Sequence, residues 1–171
     1  EDGPANHKGK AGTPTMGGIL IIIGVVISTF LWANLTVNYT WLVLLVTVGY
    51  GLIGFADDYR KLTGSSSKGI SGKTRLAFEI IIALFVSIDI YFKPGFNSQI
   101  AIPFFKTVLP DLGWGYILLA TFIIVGTANA VNLTDGLDGL AIGPATICFA
   151  TFVLFAYFSG NVKVATYLQI P

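Results

Sequence analysis

Charge is what this sequence has least of. Of 171 residues, 11% are Asp, Glu, Lys or Arg, under half the share of an ordinary soluble domain. From residue 11 to residue 56 there is no charged residue at all. A soluble domain of this size cannot hide so much apolar surface from water, whereas a bilayer has no need to hide it. Net charge is +1, which leaves no electrostatic case for a nucleic-acid partner. The single cysteine, Cys148, excludes an intrachain disulfide. It lies in an apolar run and reads as a small lipid-facing or core residue. The single histidine, His7, reads as a surface residue rather than a ligand. The chain opens on Glu1-Asp2-Gly3-Pro4 with no signal-peptide pattern and stops at Pro171, so it reads as a piece of something longer.

What is present is apolar sequence, 54% of the chain. The run from residue 11 to 56 is too long for one span and is broken by Asn34, Asn38 and Thr40. Five spans are expected, at residues 14–33, 41–56, 76–92, 115–131 and 136–158, each near the length that crosses about 30 Å of hydrocarbon. Backbone polar groups must be satisfied inside lipid, so these segments are helices. The expected fold is an all-α, polytopic membrane bundle forming a single membrane domain over residues 1–171. Residues 98–105, which alternate partly and contain Pro103, add a short strand or hairpin at the surface.

Positive charge sets the orientation. With the N-terminus cytoplasmic, that side holds Lys8, Lys10, Arg60, Lys61, Lys68, Lys73 and Arg75, and the other holds Lys93, Lys106 and Lys163. Seven against three supports N-terminus in. Trp32, Trp41, Tyr91 and Trp114 then sit near outer span ends, as an interfacial aromatic belt does. Glu79 reads as an interfacial partner of Arg75, and Asp89 as one of Lys93. Gly64, Ser65–Ser67 and Gly69 read as a mobile loop.

Polar chemistry collects on the cytoplasmic face in three motifs. The first is Lys10-Ala-Gly-Thr13-Pro14-Thr15-Met-Gly-Gly18. Thr13 suits an N-cap and Pro14 a first helical position. A helix N-terminus there, with Lys8 and Lys10 beside it, favours phosphate. An ordinary capped span flanked by positive-inside lysines has the same appearance. The second motif is Gly54-Phe-Ala-Asp57-Asp58-Tyr-Arg60-Lys61. Two carboxylates at a helix C-terminus oppose its dipole, and hard cations take carboxylate oxygens. Adjacent helical residues point about 100° apart, so the two Asp have different jobs. A solvated helix end neutralised by Arg60 and Lys61 is the plainer reading. The third is Asn129-Ala-Val-Asn132-Leu-Thr-Asp135-Gly136-Leu137-Asp138-Gly139-Leu140. Asn132, Asp135 and Asp138 share a face if the path is helical, and Asp135 also suits the cap of the next span. Upstream, Gly49-Tyr-Gly51-Leu-Ile-Gly54 matches G-x-G-x-x-G without the strand or βαβ context of a dinucleotide site. Close helix packing through small residues explains it better.

These motifs, in this order and over essentially the whole chain, resemble those of the bacterial phospho-N-acetylmuramoyl-pentapeptide transferases, within the polyprenyl-phosphate sugar-1-phosphate transferases. The resemblance rests on Gly3-Pro4, His7, the Lys10–Gly18 run, the Gly54–Lys61 run and the Asn129–Ala141 run. It implies transfer of phospho-MurNAc-pentapeptide from UDP-MurNAc-pentapeptide to undecaprenyl phosphate, giving lipid I and UMP for the peptidoglycan cell wall, with Mg²⁺. The setting implied is the bacterial inner membrane, with the active face cytoplasmic, and a homodimer is compatible with it. By resemblance, Asp57 and Asp58 form the catalytic and metal centre, one activating the lipid phosphate or helping to hold Mg²⁺. Lys10, Thr15, Asn132, Asp135, Gly136, Leu137 and Asp138 match positions lining the nucleoside and phosphate pocket, and Lys61 assists the phosphates. The family continues with further spans, another catalytic Asp and a histidine-rich loop, so this chain alone is expected to be inactive. Two rivals stay open: a related transferase using UDP-GlcNAc, and a transporter subunit. The second would carry ionisable residues at mid-membrane, where this sequence has none.

Overall fold

The computed structural model describes residues 17–64, 69–102, 108–135 and 140–168. Among the described residues, six helices follow one another: α1 (Gly18–Trp32), α2 (Asn38–Thr63), α3 (Gly72–Tyr91), α4 (Gly115–Thr134), α5 (Ile142–Gly160) and α6 (Val162–Leu168). The fold is an all-α membrane architecture, as expected. Hydroxyl side chains in the apolar helices bond back to their own backbone. Thr29 donates to Val25, Thr47 to Val43, Thr146 to Ile142 and Thr151 to Ile147, at 2.7–2.8 Å, so these four hydroxyls are satisfied within their own helices.

Among the described residues, three helices, α2, α4 and α5, are long and apolar enough to cross a membrane. The other two expected spans differ in instructive ways. The 15 residues of α1 reach about 22 Å, short of a hydrocarbon core; residues 14–16 lie outside the described residues. α3 has the length but carries Lys73, Arg75, Glu79 and Asp89. The 26 residues of α2 reach about 39 Å, so its charged end from Asp57 onward extends beyond the span. Fifth, α5 begins at Ile142 rather than at 136.

The chain divides into two units, one ending at Val125 and one beginning at Gly126. In the first, α1 and α2 turn back on each other through residues 33–37. There the Asn34 side chain accepts from Thr36 N–H at 3.0 Å and from its hydroxyl at 2.7 Å, so the polar break in the sequence is a tight turn. Phe30 meets Trp41 edge to face at 5.9 Å. α2 and α3 are tied by Asn38 donating to Asp89 at 3.1 Å near one end and by Tyr50 donating to the Glu79 carbonyl at 3.0 Å nearer the other. α3 meets the start of α4 through the buried Ser87 and Thr121 hydroxyls, 3.3 Å apart. Leu42, Leu44, Ala83, Val86, Ile117 and Val125 are the buried apolar residues among those described. Most large apolar side chains face outward, as lipid-exposed ones do.

The expected glycine packing is present. A Cβ on Gly49 would lie 2.8 Å from the Ile82 δ-methyl, and one on Gly51 would collide with the Ile22 δ-methyl, while one on Gly54 would meet nothing. Two of the three glycines therefore seat α2 against its neighbours. Asp89 also pairs with Lys93 at 3.2 Å, as expected, and the Tyr91 and Trp114 rings lie tilted against each other at 5.1 Å. The anticipated hairpin is reduced, among the described residues, to one antiparallel bridge between Gln99 and Asp111. Ser98 Oγ and the Gly113 N–H both bond the Asp111 carboxylate. Residues 103–107 lie outside the described residues.

In the second unit, α5 has no buried residue and Cys148 is exposed. Asn161 ends α5 and starts α6, its side chain accepting from Lys163 and Val164 N–H at 3.2 and 3.3 Å. α6 was not foreseen. The Asx cap at Asn161 was the available signal.

Candidate active site

The second motif ends α2 as a helix. Its last turn is closed by Gly64 N–H donating to the Arg60 carbonyl at 2.9 Å, and Arg60 and Lys61 stand where basic residues complement the dipole. The two carboxylates, adjacent in sequence, have different surroundings. Asp57 is mostly covered, its side chain 15% exposed against 47% for Asp58. Asp57 Oδ2 receives Lys61 Nζ at 2.6 Å, one turn on. Asp57 Oδ1 accepts the Ile70 N–H at 2.7 Å. Among the described residues, Asp58 Oδ1 has a looser contact with the same Lys61 Nζ, at 3.4 Å.

Burial pushes the Asp57 carboxyl up, but the Lys61 hydrogen bond, the Ile70 N–H and the charges of Lys61 and Arg75 outweigh it and hold it below the ordinary carboxylate value. The bond to Asp57 raises the Lys61 ammonium in turn. Asp57 is thus a permanently ionised, immobilised carboxylate at neutral pH, and Asp58 an available one.

The residues after the 65–68 segment supply what sequence reasoning missed. Gly69 has φ +58 and its backbone lies against the Asp57 carboxylate. Ser71 then caps α3, accepting from Thr74 N–H at 3.2 Å. Arg75 pairs with the buried Glu79 at 3.3 Å. The expected Arg75–Glu79 pair is present, and Glu79 is buried within the protein.

Asp58 opens on a cleft of about 240 Å³ between α1 and α2, walled by Gly18, Ile22, Gly54 and Phe55. A second, wholly apolar cleft of about 210 Å³ shares Ile19, Ile22, Gly51 and Phe55 with it and continues toward Ile23 and Val48. A larger cavity, about 530 Å³, lies at the opposite end of these helices beside Asn38 and Asp89. It is remote from the paired carboxylates.

Of the other expected site residues, Asn132 lies in the last turn of α4 and Asp135 just past its end, both exposed. Asp135 N–H continues the helix by donating to Val131 at 3.0 Å. It does not cap α5, whose N-cap is Ala141 with no side-chain bond. Both belong to the second unit. Lys10, Thr15, Gly136, Leu137 and Asp138 lie outside the described residues.

Comparison with known proteins now bears on this geometry. Residues 40–170 match the sequence family described as glycosyl transferase family 4. The chain belongs to glycosyl transferase family 4. Within it, residues 10–22 match phospho-N-acetylmuramoyl-pentapeptide-transferase signature 1, the first motif singled out above. The chain is 75% identical over its whole length to the phospho-N-acetylmuramoyl-pentapeptide-transferase of Syntrophus aciditrophicus (strain SB), and covers 48% of that protein. It is 54% identical, again over its whole length and 48% of the relative, to the transferase of that name from Desulfotalea psychrophila. With the one from Pelobacter propionicus it shares 51% over 170 residues, 99% of this chain and 48% of the other. The chain spans about half the length of the curated relatives it matches. The family match covers α2 through α6, and so includes both the Asp57-Asp58 end and the α4 end.

Phospho-N-acetylmuramoyl-pentapeptide transferases are metal-dependent in general terms. Among the described residues, no three Asp, Glu, His or Cys side chains lie close enough to share an ion. The two carboxylates nonetheless suit a cation that uses one or two protein carboxylates and completes its shell with water and substrate phosphate. Asp58 has the spare lone pairs.

Proposed function

We infer that this chain is the portion of a phospho-N-acetylmuramoyl-pentapeptide transferase that supplies the Asp57-Asp58 centre. The enzyme transfers phospho-MurNAc-pentapeptide from UDP-MurNAc-pentapeptide to undecaprenyl phosphate. An oxygen of the lipid phosphate forms a bond to the sugar-bearing phosphorus, the bond from that phosphorus to the bridging oxygen breaks, and UMP leaves with that oxygen. The product is lipid I. The observation that carries the reading is 75% identity over all 171 residues to a transferase of that name, joined to two inequivalent carboxylates at a helix end that project past the apolar span.

The roles follow from the surroundings. Asp58 faces the cleft and accepts either a phosphate-bound cation or the lipid phosphate's proton. Asp57 fixes Lys61 beside it, so that a cation points at the phosphates without leaving a carboxylate uncompensated. Asp58, with Asp57 in support, would hold Mg²⁺, which would supply neutralisation of the pyrophosphate charge and so a better leaving group. The apolar cleft continuing from Asp58 suits a hydrocarbon chain next to its phosphate. The resemblance is what assigns nucleoside and phosphate contacts to Lys10, Thr15, Asn132, Asp135, Gly136, Leu137 and Asp138.

The site belongs to the cytoplasmic face of the bacterial inner membrane, where a soluble UDP-sugar meets a lipid phosphate. Arg60, Lys61, Lys73 and Arg75 gather at the Asp57 end of the first unit and Lys93 stands at the other, as the positive-inside tendency requires. Single-cysteine labelling at Ser66 checks this: protection from impermeant reagent outside intact cells is expected, and outside labelling would overturn the orientation. The reaction is tested by UMP release from the full-length protein with undecaprenyl phosphate. UDP-MurNAc-pentapeptide should be turned over and UDP-GlcNAc not; the reverse would assign the chain to the GlcNAc-1-phosphate branch.

A further inference from the structure

We propose that the Gly69–Ile70 turn is a positioning device for Asp57, holding that carboxylate in its working orientation from the far side of Lys61. The proposal rests on the transferase reading above and deepens it.

Three observations converge on this turn. Ile70 N–H donates to Asp57 Oδ1 at 2.7 Å, opposite the Lys61 ammonium on Oδ2 at 2.6 Å. The carboxylate is therefore held from both oxygens and its χ2 rotation is blocked. Gly69, at φ +58, occupies the left-handed region, which costs an ordinary L-residue about 1 kcal/mol or more. Its backbone is also pressed so closely on Asp57 that an added Cβ would overlap Oδ1 and come to 2.9 Å of Lys61 Cε. Glycine is needed here twice over, once for conformation and once for space. Directly afterwards Ser71 caps α3 through Thr74, so the donor that grips Asp57 is built into the entry of a helix rather than left on a free loop. That arrangement makes the turn rigid at the point of contact.

A carboxylate needing only to be neutralised would be served by Lys61 alone. The second grip fixes direction. Backbone donors lack the rotamer freedom of a lysine side chain, and misplacing a reacting group by about 1 Å costs on the order of a hundredfold in rate. Gly69 and Ile70 thus act on the reaction through Asp57 and need not touch substrate.

The test uses the full-length protein and two substitutions. Gly69→Ala carries both penalties. Gly69→Asn tolerates positive φ better but still sets a Cβ against Asp57. Both should lower kcat on the order of a hundredfold, with the KM for the UDP-sugar changed by less than about threefold. Placed on top of Asp57→Asn, either should cost less than about threefold more, because the residue it positions is already lost. A readout independent of turnover is hydrogen exchange at the Ile70 amide, which should accelerate in Asp57→Ala. Wild-type protein without UMP release would sink the transferase reading. An active wild type with Gly69→Asn within threefold of it, or with losses that multiply in the double variant, would overturn the positioning role instead. Unchanged Ile70 exchange in Asp57→Ala would overturn it even if the glycine variants fold poorly.

Discussion

Placing alanine in turn at Gly49, Gly51 and Gly54 separates packing from chemistry on one helix. All three lie inside α2, so each substitution gains the same helix-propensity advantage, about 0.8–1.0 kcal/mol. That common term cancels when the variants are compared with one another. What differs is what the new methyl meets. At Gly49 it lies 2.8 Å from the Ile82 δ-methyl, at Gly51 it overlaps the Ile22 δ-methyl, and at Gly54 it meets nothing within 4 Å. The obstructing atoms are the ends of flexible side chains, so the neighbour turns rather than the backbone moving. An isoleucine driven off its rotamer costs about 0.5–1.5 kcal/mol. Gly49→Ala and Gly51→Ala should therefore be less stable than Gly54→Ala by that amount. Turnover should divide them differently. Gly51 and Gly54 both line the cleft onto which Asp58 opens, so an added methyl at either intrudes on substrate, while Gly49 is not part of that wall. Equilibrium unfolding in mixed micelles and UMP release on the same full-length preparations give both rankings. Gly54→Ala as unstable as Gly49→Ala, or fully active beside an impaired Gly49→Ala, would refute the assignment of packing to Gly49 and of the cleft wall to Gly54.

Lys10→Ala and Asp138→Ala should weaken UMP binding by about tenfold while sparing lipid-phosphate binding, and calorimetric titration in detergent reads this directly. The Asp57–Lys61 pair sets a pH signature of stability. Asp57 titrates below its ordinary value when folded, so its contribution is complete above the unfolded carboxylate value and is lost as pH falls through the folded one. Lys61 titrates above its ordinary value, so its contribution is complete below the unfolded lysine value and is lost as pH rises through the folded one. Wild-type protein should lose stability at both extremes, and Asp57→Asn should flatten the two limbs together, as thermal unfolding across pH would reveal. Residues 1–171 expressed alone should release UMP at least about a thousandfold more slowly than the full-length protein, because removing part of a cooperating catalytic set commonly costs that much.

Composition made the bundle legible, because 46 consecutive residues without charge admit no other economical home (residues 11–56). The α1–α2 turn was legible from Asn34 because an Asx side chain replaces backbone partners locally. The Arg75–Glu79 pair was readable from spacing, but its burial was not, since that depends on which helix covers it. Sequence spacing separated Asp57 from Asp58 in direction without saying which is gripped. That depended on Ile70, 13 residues away along the chain, and no local pattern announces a backbone donor. Gly69 looked like one more loop glycine because φ and a neighbour's approach are invisible in a letter code. Span ends were the least legible feature: α2 runs seven residues past its expected end, since helix propensity continues through Asp-Asp-Tyr-Arg-Lys after hydropathy has stopped.

The central claim is that phosphoryl transfer is carried by the two carboxylates at the end of α2. Turnover of Asp57→Asn and Asp58→Asn in the full-length protein, at saturating Mg²⁺ with UDP-MurNAc-pentapeptide and undecaprenyl phosphate, tests it most directly. Each substitution keeps shape and removes one charge, so both variants should remain folded and each should lose at least about a hundredfold in kcat. Folded variants that both turn over at near wild-type rate would contradict the account and move the chemistry elsewhere in the protein.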